Sequence, residues 1–203
     1  MRPMIACLAA GLLLAGCVFR DAAAPRFYRP AATTLDGDAG ADPPPAPVAP
    51  KAPAVRLEPV TGTPFLRERI AWRSSNVEYG LYEQQRWNET PPRYVQRALE
   101  SALRATSGLR LTDALEAPTL RVDVVAFDEV LAPQHAARVA LTVSLRDRAR
   151  TRLVDRTFAA EEPITGSGGA GTATAMGSAL DRVVAEVASA VATALPGADR
   201  PVR

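Results

Sequence analysis

The 203 residues are 47% apolar, 23% charged and 5% aromatic, with a formal charge of +2. The apolar share is too high for a wholly disordered chain, and the near-neutral balance argues against a general nucleic-acid binder. Two cysteines and a single histidine, His135, exclude a disulfide scaffold and a four-cysteine zinc site and make a classical hydrolase a poor fit. Neither a cofactor nor a metal site is expected.

The first element is an address. Arg2 supplies a positive start, Met4 to Leu14 form an apolar stretch, and Leu14-Ala15-Gly16-Cys17 follows. That order matches a bacterial lipobox, in which small residues let an extended segment enter the peptidase and the cysteine thiol accepts the lipid. Residues 1–16 are therefore read as a lipoprotein signal peptide and Cys17 as the acylated, palmitate-bearing start of the mature chain. An ordinary signal peptide is the alternative. The stretch is too short for a bilayer span, which takes roughly 20 residues. Val18 rather than Asp follows Cys17, which points to the outer membrane of a Gram-negative bacterium.

Residues 17–53 are read as a lipidated cysteine and a disordered Pro/Ala-rich linker. Positions 18–53 hold eight prolines and no apolar period, so they bury too little to offset their ordering entropy. As a flexible coil they would average about 30–36 Å end to end. Phe27-Tyr28 either docks on the domain or the membrane surface or does nothing.

The globular domain is expected over residues 54–196, with 17 Arg against 17 Asp plus Glu. Ala54 to Val60 alternates as a half-buried strand. Arg69 to Ser74 and Val77 to Tyr82 read as two short strands, the second placing Val77, Tyr79 and Leu81 together. Thr90-Pro91-Pro92 opens a helix, with Thr90 as cap and Pro91 in the first turn. Val95, Leu99 and Leu103 form its apolar face, Glu100 and Arg104 pair on the other side, and Gly108 ends it. Leu120 to Ala126, Arg138 to Arg146 and Arg152 to Phe158 alternate as strands, the last two as an antiparallel hairpin. A final helix spans Thr172 to Leu195. At 100° per residue, Met176, Leu180, Val183, Val184, Val187, Val191 and Leu195 share an arc of about 120°. Pro196-Gly197 ends it, and residues 197–203 are expected to be disordered. The order β-β-β-α-β-β-β-α implies an α+β domain, a largely antiparallel sheet of about six strands with two packed helices.

No motif assembles into a catalytic centre. Gly166 to Gly171 matches GxGxxG, yet no strand follows, so it reads as a hinge rather than a dinucleotide loop. His135 is a lone loop histidine. Asp128-Glu129 and Glu161-Glu162 are neighbours on strands and point to opposite faces, which defeats paired acid/base work. The surviving candidates are surfaces. Arg146, Arg148, Arg150 and Arg152 crowd the hairpin tip, opposed only by Asp147, and suit phospholipid headgroups or an acidic partner. Phe65, Trp72, Tyr79, Tyr82, Trp87 and Tyr94 cluster in sequence; most read as core, with an exposed subset at an interface.

The lipobox together with Val55-Arg56-Leu57-Glu58-Pro59-Val60, Phe65-Leu66 to Arg73, Tyr82 to Trp87 and the elements after them resembles the ABC-type transport auxiliary lipoprotein family, which is PqiC-like. That resemblance implies a non-catalytic auxiliary component of an MCE (mammalian cell entry) system moving phospholipid or other hydrophobic cargo between inner and outer membranes. The implied partners are a periplasmic MCE protein, its inner-membrane ABC transporter and, through acylated Cys17, the lipid bilayer. A homo-oligomer is allowed; nucleic acid is not a partner. The rival expectations are an outer-membrane assembly or chaperone lipoprotein of the lipopolysaccharide-insertion kind and a periplasmic hydrolase.

Overall fold

The computed structural model of the chain describes residues 24–36 and 52–195. Residues 1–23 with Cys17, residues 37–51 of the expected linker, and the tail from residue 196 lie outside them. In chain order the elements are β1 (Arg26–Tyr28), α1 (Thr33–Asp36), β2 (Ala54–Leu57), β3 (Thr61–Gly62), β4 (Arg69–Arg73) and β5 (Tyr79–Trp87). Then come α2 (Pro91–Ala105), β6 (Arg110–Leu111), β7 (Thr119–Val130), β8 (Ala136–Arg146), β9 (Arg152–Pro163) and α3 (Gly168–Ala194).

Strand β7 organises the sheet. Leu120, Val122 and Val124 face the helices until the register shifts between Val124 and Ala126; beyond that bulge Phe127 and Glu129 continue on the same face. One edge of β7 pairs antiparallel with β8 along its whole length. The other edge takes three short parallel partners in turn: β2 at Arg56↔Thr119, β3 at Thr61↔Asp123 and β4 at Ala71↔Asp128. The α+β class holds, but the sheet is mixed rather than largely antiparallel, with nine strands among the described residues rather than six. Alternation marks a strand without marking its direction. Between β4 and β7 the chain passes through β5 and α2, the kind of long crossover that parallel pairing requires. The added strands β1, β3 and β6 have two or three residues each and exist only by pairing with longer neighbours.

The helices cover one face of the sheet. Every apolar position expected on the last helix is buried, as are Val95, Leu99 and Leu103 of α2. Glu100 and Arg104 do pair, at 3.6 Å. Thr90 occupies the N-cap with extended backbone, but its side chain makes no cap bond; its carbonyl accepts from Arg93 N at 3.0 Å instead. The second short strand is displaced: it runs Tyr79–Trp87, and Val77, 91% exposed, stands in the preceding turn. The polar run Glu83-Gln84-Gln85-Arg86 hid the rest of that strand from an alternation test. The last helix starts four residues early, at Gly168, so most of the glycine run is helix rather than hinge.

The largest correction is at the linker. Residues 24–36 are part of the fold. Strand β1 pairs parallel with β5, Arg26↔Gln85 to Tyr28↔Trp87, and Asn88 N donates to Tyr28 O at 2.9 Å. Ala31 N donates to Ala173 O at 3.0 Å. Helix α1 is capped from α3: Asp181 accepts from Thr33 N at 2.6 Å, Thr33 Oγ1 at 2.8 Å, Thr34 N at 3.1 Å and Thr34 Oγ1 at 2.5 Å. Ala32 and Leu35 are fully buried beneath it. Gly169, Ala173, Gly177 and Asp181 recur every four residues, so they lie along one face of α3. That face has to be small. A Cβ on Gly169 would stand 2.4 Å from the Tyr28 ring, and one on Gly177 only 2.2 Å from the Ala31 carbonyl carbon.

Gly177→Ala therefore sets helix propensity, which gains about 1 kcal/mol, against the seat of the N-terminal segment. Trypsin cleavage after Arg26 is expected to quicken at least tenfold, with helix content by circular dichroism unchanged. Asp181→Ala is expected to cost about 1–2 kcal/mol in urea unfolding through loss of the cap.

Candidate functional site

The four arginines of the hairpin tip are brought together. Arg146 and Arg152 sit opposite each other where β8 meets β9, and Arg148 and Arg150 occupy the turn between them. The single acid is consumed by the turn itself. Asp147 N donates to Thr151 O at 3.1 Å, and Asp147 Oδ1 accepts from Thr151 N at 2.8 Å. Arg150 takes the left-handed conformation, φ 64°, that this turn demands. Arg152 pairs with Asp155 at 2.8 Å in an exposed contact. Arg146, Arg148 and Arg150 are exposed with no ion partner among the described residues. The tip thus presents a concentrated positive charge to solvent.

The N-terminal segment arrives elsewhere. Strand β4 runs parallel to β7, β5 antiparallel to β4, and β1 parallel to β5. Strand β1 therefore runs against β7, and Arg26 points toward the Val130 end. Arg69↔Arg86 and Ala71↔Asp128 set β1 level with the C-terminal half of β7. The hairpin tip lies beyond Thr119, the other end, because Thr119 pairs with Arg146. Eight residues of β7 separate the two levels, about 26 Å at ~3.3 Å per residue.

The paired acids separate to opposite faces as expected. Glu129 turns inward among three donors. Its Oε1 lies 2.6 Å from His135 Nε2, its Oε2 accepts from Thr172 Oγ1 at 2.9 Å, and Tyr82 donates its phenol proton. One carboxylate thus ties β5, β7, the start of β8 and the first turns of α3. In a hydrolytic triad the imidazole stands between nucleophile and carboxylate. Here the carboxylate stands between the hydroxyl and the imidazole, so the Thr172 hydroxyl is not placed for activation by His135. Burial, and then the Glu129 charge and hydrogen bond, push the Tyr82 phenol up to about 12. Asp128 turns to the opposite, helix-free face and pairs with Arg73. Burial raises its carboxyl above the usual value, and the hydrogen bond and charge of Arg73 oppose that rise. Glu161 pairs with Arg138 at 3.7 Å, and Glu162 pairs with Arg182. No group of three His, Cys, Asp or Glu that could hold a metal occurs among the described residues.

The aromatic set divides. Trp87 lies edge-on to Phe127 at 5.5 Å and to Tyr94 at 6.3 Å in the core. Phe65 and Tyr79 meet edge to face at 6.3 Å on the helix-free face, 39% and 46% exposed. Phe27 is exposed at the β1 edge while Tyr28 packs against α3. Two features escaped the sequence reading: the seat of residues 26–36 on α3, and the buried Arg73–Asp128 pair. The four-residue spacing of Gly169, Ala173, Gly177 and Asp181 was a legible signal for the first. Nothing local joins residues 73 and 128 before the parallel pairing of β4 with β7 is known.

A titration reads the Glu129 knot directly. Because the folded state holds the Tyr82 proton more tightly, the stability this group contributes is complete below pH 10 and is lost as pH rises through about 12. Absorbance at 295 nm is expected to show Tyr82 titrating late at about 12, beside Tyr94, whose phenol burial also raises. Glu129→Gln should lower the Tyr82 midpoint but leave it above 10, since burial is the largest cause.

A family model described as the ABC-type transport auxiliary lipoprotein component matches residues 34–188. Curated proteins give no match. Among solved structures, protein XCC0632 from Xanthomonas campestris is similar at 19% identity and TM-score 0.67, covering 83% of this chain and 95% of that one. A second crystal structure is similar at 13% identity and TM-score 0.58, covering 85% and 99%. A minor lipoprotein from Acinetobacter baumannii follows at 14% identity, 72% and 98% coverage and TM-score 0.45. The first two likenesses support the fold, and the family match covers most of the globular part. The chain belongs to the ABC-type transport auxiliary lipoprotein family.

Proposed function

We propose that this chain is a non-catalytic, outer-membrane-anchored lipoprotein that docks an MCE-type ABC transport system carrying phospholipid or other hydrophobic cargo between the two membranes. Acylation of Cys17 supplies the anchor, with more than one chain needed for firm attachment. No described helix is long and apolar enough to cross a membrane, so in this reading attachment falls to Cys17.

The observation that carries the proposal is the opposition of two ends of the sheet. Nine positions separate Cys17 from Arg26, and fully extended they reach about 30 Å. A domain clamped at β1 is then held close to its bilayer with the Val130 end of β7 leading. The hairpin arginines lie at the far end. To touch the same bilayer, the nine residues would have to run back along the sheet at nearly full stretch. Arg146, Arg148 and Arg150 therefore meet an acidic protein partner rather than the headgroups of the anchoring membrane.

Three measurements test this reading. Mass spectrometry is expected to find diacylglycerol and a further acyl chain on Cys17, and Cys17→Ser to release the protein from membranes. Arg148→Glu with Arg150→Glu is expected to reduce recovery of the MCE protein from detergent-solubilised membranes at least tenfold, with membrane attachment unchanged. Undiminished recovery would remove the tip from the interface, and capture of an outer-membrane barrel instead would favour an assembly lipoprotein.

A further inference from the structure

The helix-free face of the sheet holds a pocket of about 320 Å³, with Thr63, Phe65, Tyr79 and Val125 at its mouth and Arg73 and Asp128 deeper among its lining residues. That volume is at the lower end of pockets that hold small ligands. Its rim is exposed and mainly apolar, with Thr63 the polar member. Phe65 and Tyr79 stand edge to face, and Val125 is pushed out by the β7 bulge, 41% exposed. Its floor is polar and buried. Asp128 is 2% exposed; its Oδ2 accepts from Arg73 Nε, and its Oδ1 has no hydrogen-bond partner among the described residues. The Arg73 guanidinium also stacks at 4.8 Å from the centre of the Tyr79 ring, which ties the floor to the rim.

A buried carboxylate oxygen left without a donor is costly, and such atoms mark places where a donor is missing. The charges at hand balance: Asp128 faces Arg73 and Arg138, with Glu161 beyond. A further full charge would upset that balance and pay its own desolvation. An uncharged group that donates one hydrogen bond fits without that cost, and a hydroxyl can also accept from the Arg73 guanidinium. The rim then needs an apolar body.

We infer that this pocket binds a neutral amphiphile, an apolar chain carrying a hydroxyl, with the hydroxyl on Asp128 and Arg73 and the chain between Phe65, Tyr79 and Val125. The pocket does not depend on the transport role, and loss of the hairpin interface would leave it intact.

Two isomers test it. 1-Octanol and heptyl methyl ether carry the same atoms, but only the alcohol donates. Titrated into the purified protein and followed by backbone amide shifts of Ala71, Val125 and Ala126, the alcohol is expected to bind at least tenfold more tightly than the ether. That is the scale of a hydrogen bond to a charged acceptor. Phe65→Ser with Tyr79→Ser changes only exposed rings, keeps the fold testable, and is expected to weaken the alcohol at least tenfold. Asp128→Asn is expected to erase the preference for the alcohol over the ether. Equal binding of the two isomers, or no shift with either, would overturn the inference. So would concentration-dependent self-association abolished by the double serine variant, since a second copy would then be the occupant.

Discussion

The fold depends on one close approach. Two glycines eight residues apart on α3 leave room for the Tyr28 ring and the Ala31 backbone, and Asp181 one turn further on caps the short helix that follows. An alanine at either glycine would already overlap the segment. Stability and orientation are set by the same contact. It adds β1 to the sheet, buries Ala32 and Leu35, and fixes where the chain enters the domain. A segment of this composition has no means of folding by itself, since α1 is a single turn and isolated helices of that length do not persist in water.

From that seat the geometry follows through β7. The strand carries antiparallel β8 on one edge and three short parallel segments on the other, so it relates every part of the sheet. Its two ends differ in character. One lies beside the point where the N-terminal chain arrives, and the other carries a turn whose only acid is spent on backbone bonds. Between them the two faces of β7 treat neighbouring acids differently. Glu129 is satisfied threefold in the helix-covered face, while Asp128 on the open face keeps one oxygen without a partner. The bulge at Val125 decides this division, because it shifts which residues face the helices beyond Val124.

Much of this was legible in the residues. The seven apolar positions of the last helix, the face of α2 and the hairpin follow from periodicity alone, because each element buries its own stripe against the core. The hairpin arginines were found the same way, as a charge run at a turn. What periodicity does not carry is pairing between distant segments. Strands β3 and β6 have two residues each, too few to show any alternation. Strand β1 and helix α1 lie among prolines, and their partners stand up to 148 positions away, as in Thr33 with Asp181. Arg73 and Asp128, 55 positions apart, meet only because β4 lies parallel to β7. The spacing of small residues on α3 carried a trace of the first of these. Asp128 and Glu129 were expected on opposite faces and stand there, yet the surroundings of Asp128 on the open face depend wholly on the sheet.

The proposed orientation has the clamped N-terminal segment turn the hairpin arginines away from the proposed anchoring bilayer. Its most direct measurement places a nitroxide on Phe27→Cys or on Arg148→Cys in the acylated protein bound to vesicles containing a nickel-chelating lipid. The account predicts strong relaxation of the label at position 27 by the surface nickel and weak relaxation at position 148. Equal relaxation at both positions, or stronger relaxation at 148, would contradict it.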